Sequence, residues 1–171
     1  MQSVPKRGYE YIFLGGENNT YAFITDQQVI YELKFKPSSY IFGNQPPFTE
    51  FAFEFVIEVA ENPLPKLPPP DAVIPITLVS IFNDFFSLKE TVVVYICENA
   101  DGHAKARNRK FTQWFEQAKI GRLSFVKFDY HFGTATEFFY TSLIMRIDNP
   151  RMADVITSFQ KLSVDYKNPE K

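Results

Sequence analysis

The sequence predicts a single α+β domain: an N-terminal antiparallel β-meander, then helix, strand, helix, two strands and a helix, with the helices packed on one side of the sheet. Three observations lead to that reading. Val29, Tyr31, Leu33 and Phe35 alternate with Ile30, Glu32, Lys34 and Lys36, and Phe51, Phe53, Phe55, Ile57 and Val59 alternate with smaller or charged residues, at the two-residue period of half-buried strands. Apolar stripes at helical spacing recur three times after residue 70. A chain of 171 residues with 45% hydrophobic content can build one core and is too short for two ordinary domains.

In chain order, residues 9–25 read as two short aromatic strands joined through Gly15, Gly16, Glu17, Asn18 and Asn19. Asp26, Gln27 and Gln28 turn into the first alternating strand. Residues 37–49, with Pro37, Gly43, Pro46 and Pro47, form an irregular connection whose Tyr40 and Phe42 tuck against the sheet. Glu54 and Glu58 lie opposite the Phe row of the next strand, where two carboxylates keep an exposed face soluble rather than form an acid–base pair. Residues 63–70, PLPKLPPP, are a stiff extended linker within the domain, of a composition that polyproline-reading modules also accept. Asp71 caps the following helix, and Pro75 is tolerated in its first turn. Its buried stripe is Ile74, Leu78, Ile81, Phe82, Phe85 and Leu88, widened by Val79 and Phe86.

Residues 91–115 concentrate the candidate chemistry. Val92, Val93, Val94, Tyr95, Ile96 and Cys97 form an unbroken apolar run, the pattern of a central strand covered on both faces. Glu98, Asn99, Ala100, Asp101 and Gly102 supply turn chemistry, and Asp101 can cap a helix starting near His103. Ala104, Phe111, Trp114, Phe115 and Ala118 share one face of that helix, with Lys105 and Arg109 pointing away. Arg107 projects between Trp114 and Ala118, inside the apolar stripe, where a guanidinium needs a carboxylate, a ring face or a phosphate. Asp101, Lys105, Arg107, Arg109 and Lys110 are therefore the candidate ligand or partner contacts. The ordinary fate of Arg107 is an internal Asp or Glu pair or a stack on an aromatic ring, and Lys105, Arg109 and Lys110 on an outer helix face are ordinarily solvated charge.

Residues 123–132 read as a strand with Val126, Phe128, Tyr130 and Phe132 on one face and Phe125, Lys127, Asp129 and His131 on the other. A turn at Gly133, Thr134, Ala135 and Thr136 leads to its hairpin partner, residues 137–148, with an apolar row of Phe139, Leu143, Met145 and Ile147. Asn149 caps a last helix with Pro150 at its first position and Met152, Val155, Ile156, Phe159 and Leu162 as its stripe. Residues 164–171 read as a fraying tail.

Much chemistry is missing from the sequence. No GxGxxG or GxxxxGK[ST] follows a strand, and no GxSxG elbow is present. His103, His131 and the single thiol Cys97 cannot assemble a zinc site of the usual spacing. Cys97 ends a buried strand and reads as an inert thiol, which leaves a cysteine hydrolase as a distant alternative. No catalytic residue, metal or cofactor is assigned, and the chain does not read as an enzyme. A net charge of −2 excludes a surface that tracks polyanions throughout and leaves room only for a local patch. The lone cysteine, with no apolar span or leader pattern, places the protein in the cytoplasm and off the membrane.

The succession TYAFIT, VIYELKF, VSIFNDFF, VVVYICENADG and ARNRKFTQWF resembles a family of uncharacterised bacterial proteins classed as a domain of unknown function. The likeness runs from about Tyr9 to Leu162, with ADG and RNRKFTQWF its most specific parts. It implies a cytoplasmic bacterial α+β protein and brings no activity and no catalytic residues. The function expected is a non-enzymatic interaction or regulatory module. It binds a protein partner, still unknown, through the aromatic-rich sheet or the helix face at 105–110, or a second copy of itself if aromatic rings stay exposed. The alternative is an anion, phosphate, nucleotide or nucleic-acid binder using Arg107, Arg109 and Lys110, with steep salt dependence.

Overall fold

Every second side chain of residues 29–35 is buried, and the sheet extends on both sides of that strand. The structure, a computed structural model, describes residues 7–43, 46–98, 101–117, 124–133 and 138–167. Its elements are β1 (Tyr11–Gly15), β2 (Thr20–Ile24), β3 (Ile30–Pro37), β4 (Ala52–Glu61), α1 (Val73–Phe85), β5 (Val92–Glu98), α2 (Ala104–Gln117), β6 (Phe125–Gly133), β7 (Phe138–Arg146) and α3 (Met152–Lys167). Short 3₁₀ turns at Ser39–Ile41 and Thr49–Phe51 punctuate the connection before β4. Asn99, Ala100, Ala118, the turn residues Thr134, Ala135 and Thr136, and the last residues of the tail lie outside the described residues.

The strands form one seven-stranded sheet in the order β1-β2-β3-β4-β5-β7-β6. The expected meander and the β6–β7 hairpin are both present and antiparallel. Between them β4 and β5 run parallel, joined only at Ala52–Phe55 against Val92–Tyr95, and α1 makes the crossover that parallel strands require. Val92, Val93 and Val94 are fully buried, as a strand covered on both faces demands.

The placement of the helices corrects the one-sided arrangement. α1 and α2 pack on one face against Phe35, Phe55, Val93, Tyr95 and Cys97, whereas α3 packs on the other against Val92, Val94, Leu143 and Met145. The reason lies in the strands themselves. β5 and β7 are apolar on both faces, so alternation leaves a second row that would meet water if all helices sat together. Val155 and Phe159 of α3 cover part of that row, and Phe42 and Phe48 of the irregular connection cover the rest.

Caps follow the sequence closely. Asp71 Oδ1 accepts the Val73 amide at 2.8 Å, and Pro75 sits in the first turn of α1, where its missing donor costs nothing. Asn149 Oδ1 accepts the Arg151 amide at 2.8 Å, while its Nδ2 donates to the carbonyls of Glu90 and Thr91, tying the start of α3 to the approach to β5. α3 continues to Lys167, so the segment expected to fray begins as helix. Three side chains assigned to the interior lie outside it. Leu88 is exposed because α1 ends at Phe85, Ile147 is exposed because β7 ends at Arg146, and Tyr40 reaches outward to donate to Glu54 Oε2 at 2.7 Å.

Candidate functional site

The β5–α2 connection brings the candidate contacts together. Gly102 takes φ +74°, a left-handed turn that a Cβ would strain, and this swings Asp101 beneath the first turn of α2. Asp101 Oδ1 accepts the His103 amide at 3.0 Å and Oδ2 pairs with the Arg107 guanidinium. Its carboxyl is held below the usual range, first by that amide and then by the Arg107 charge.

Arg107 therefore lies outside the apolar stripe, with its side chain 42% exposed. Helical side chains lean toward the N-terminus, and a long one reaches back a full turn to the capping carboxylate instead of entering the core. The stripe proper is Ala104 and Phe111, buried, with Trp114 and Phe115 half-buried. Lys110 Nζ sits 4.9 Å from the centroid of the Trp114 ring. Lys105 and Arg109 are exposed on the outer face, and among the described residues neither has an ion pair.

Beneath α2 is a polar cluster that local sequence pattern did not reveal. Lys127 of β6, almost wholly buried, bonds Asp129 at 2.5 and 2.7 Å and Thr112 of α2 at 3.3 Å, while Ser142 of β7 donates to Asp129 at 2.6 Å. A buried ammonium is tolerated when it is paired in this way. Ser142 is fully buried and commits its proton to a carboxylate, so it offers no accessible nucleophile. Cys97 lies on the same face, sharing a hydrogen bond with Tyr95, and burial pushes its thiol up against the opposing pull of Tyr95, Arg107 and Lys127. That is the state of an inert thiol. Among the described residues no three His, Cys, Asp or Glu side chains converge as a metal would require.

A cavity of about 250 Å³ lies at the N-terminus of α1, walled by Tyr9, Asp26, Tyr31, Pro69, Asp71 and Ile74. It is below the ~300 Å³ at which small-molecule sites usually begin. Two of its polar groups satisfy each other: the Tyr9 hydroxyl donates to Asp71 Oδ2 at 2.6 Å, and burial followed by that bond pushes the phenol up to about 12. Two carboxylates in one small cavity repel phosphate, so this is not the anion site considered from sequence.

The feature least explained by folding is the edge strand β1. Ile12, Phe13 and Leu14 are consecutive and 60, 58 and 56% exposed, and Ile24 on the neighbouring strand is 51% exposed. Ile12 pairs with Ala22, two residues before Ile24, so Ile12 and Ile24 share the face not covered by α1. Toward the centre of that face Lys34 is neutralised by Glu58 and by Glu32 at 3.4 Å. β1 itself carries no charge, and a register shift between Phe13 and Gly15 bulges its end. The apolar run YIFLG, where a half-buried strand would alternate, was the available sequence signal.

No helix among the described residues is long and apolar enough to cross a membrane. Among curated proteins none matches the chain. Among solved structures the chain is similar to a CoA-dependent acyl-homoserine lactone synthase, MesI, at 14% identity and a TM-score of 0.39, covering 91% of this chain and 71% of the synthase. At that distance none of the synthase's chemistry transfers. A family model matches residues 70–161, from the end of the proline-rich linker through most of α3 and without the meander. That match spans just over half of the sequence: the chain belongs to the family of unknown function DUF6169.

Proposed function

We propose that the protein is an interaction module whose docking surface is the β1 edge of the sheet and the adjoining uncovered face. The observation that carries this reading is the run Ile12, Phe13 and Leu14, each more than half exposed on a strand that pairs with β2 on one side and has no strand beside its other edge among the described residues. Natural edges are usually protected by charge, proline or a covering element, and this one carries three large apolar side chains. Such a strand is suited to a neutral, apolar partner that adds main-chain hydrogen bonds at the edge and seats side chains on the face. The test is site-specific photo-crosslinking in cells, with a benzophenone side chain at position 13 and at the exposed control position Lys89. Discrete adducts at 13 and none at 89 support the reading; equal or absent labelling at both overturns it.

A second reading is favoured by Lys105 and Arg109, which lie one turn apart, exposed and without an ion pair among the described residues. They would hold a phosphate-bearing ligand beside Lys110, whose ammonium lies over the chain's one tryptophan, Trp114. Titration with inorganic phosphate or a short single strand, followed by tryptophan fluorescence at low and high salt, tests it. A saturable change that salt abolishes supports the reading, and a flat signal removes it.

A further inference from the structure

We infer that the occupant of the β1 edge is a second copy of this chain, docked antiparallel across a two-fold axis at Ile12–Leu14. The inference rests on the interaction reading above and names its partner. Strand β1 contains no charged residue, so self-pairing sets no like charges opposite one another in any register of Tyr11–Gly15. With the axis at Phe13, Ile12 of one copy meets Leu14 of the other and the two Phe13 side chains adjoin, so the same patch serves both partners.

The area available is of the right order. Ile12, Phe13, Leu14 and Ile24 are each between half and three-fifths exposed, which is on the order of 100 Å² apiece, so a symmetric pair that covered all of them would bury at most roughly 800 Å². Strand backbone and the flanking Tyr11 and Thr20 bring this to the ~1,000 Å² at which specific interfaces begin. The geometry also favours a closed pair over a fibre. The edge is five residues long and bulged after Phe13, so it cannot template an extended ladder. At the other end of the sheet, β6 presents Lys127 and Asp129 in an internal network. With both β1 edges used in the pair, further growth would have to join β6 to β6.

The purified full chain is examined alone by sedimentation velocity from about 1 µM to about 500 µM, a range that brackets the weak end of specific association. Mass should rise from the 19.9 kDa monomer toward twice that value. Ile12→Lys and Phe13→Glu should each weaken association by about tenfold or more while leaving circular dichroism unchanged and the melting temperature of the dilute monomer within a few degrees, since both side chains are more than half exposed. A monomer at every concentration overturns the inference, as does a dimer that both substitutions leave intact. Because no other protein is present, a heterologous adduct at position 13 in cells alongside a purified monomer would sink the homodimer and leave the interaction module standing.

Discussion

Phe35 is where removal of one side chain should cost most. It is fully buried on β3, and its ring lies 5.9 Å from Tyr21, 5.3 Å from Phe55, 5.5 Å from Phe82 and 3.8 Å from Phe85, linking three strands to α1. A buried Phe→Ala change costs about 3–5 kcal/mol, and ring pairs add roughly 0.5–1.5 kcal/mol beyond area. Four ring contacts place Phe35→Ala at the upper end, at about 4–5 kcal/mol. Domains hold together by only about 5–15 kcal/mol, so this is a large share of the total. Phe13→Ala is the matched control: the same residue type on a strand of the same sheet, but 58% exposed and with a single ring neighbour, Tyr21, at 4.8 Å. It should cost less than about 1 kcal/mol. In urea unfolding with m near 2 kcal/mol/M, Phe35→Ala should lower the midpoint by about 2 M and Phe13→Ala by under ~0.5 M. A Phe35→Ala loss below about 1.5 kcal/mol, or one equal to that of Phe13→Ala, would mean that the aromatic cluster does not support the fold as described.

Other consequences can be checked on the same purified protein. Arg107→Ala and Lys110→Ala should each change stability by less than about 1 kcal/mol, since Arg107 pairs with Asp101 at the surface; a loss above ~2 kcal/mol for Arg107→Ala in thermal melts would return that side chain to the core. Asn149→Ala should cost about 2 kcal/mol by chemical denaturation, because it removes a cap and strands two carbonyls, whereas a cost near zero would show the cap to be redundant. The pH profile of the melting temperature should fall at both ends. Cys97 and Tyr9 are raised in the fold, so their contribution is complete below their unfolded values and is lost as pH climbs from about 9. Asp101 and Asp148 are lowered, so theirs holds above the ordinary carboxylate range and is lost as pH falls below it. Native Cys97 should resist a disulfide reagent until the chain unfolds, and fast labelling of folded protein would contradict its burial.

The sequence declared its strands through periodicity, and β3, β4 and β5 lie where alternation or an unbroken apolar run placed them. Periodicity describes one segment at a time. It located the polar row of Lys127 and Asp129, but not its closure by Thr112 and Ser142, which depends on β6–β7 register and on where α2 lies. It put α3 on the wrong side for the same reason, since a stripe shows that a helix has an apolar face and not which layer receives it. A helical wheel fixed the direction of the Arg107 Cα–Cβ bond but not the reach of its long stem back to Asp101. Of the candidate site, the cap, the turn and the basic outer face were legible. The β1 strand was signalled by its unbroken apolar run but its exposure was not, because apolar residues read alike whether another strand covers them or water does.

The parallel contact between β4 and β5 also bears on how the chain folds and opens. The meander and the C-terminal hairpin each consist of neighbours in sequence and can form quickly and independently. Four residue pairs, about forty positions apart in the chain, join the meander to β5, which reaches the hairpin through seven further pairs with β7, and the four cannot register until α1 has closed the intervening loop. The seam is thus the late step in assembly and the first line along which the sheet can part. Those amides of residues 53, 55 and 92–95 that bond across the seam should report a sub-global opening in hydrogen exchange, at a free energy below that of the β3–β4 and β6–β7 ladders.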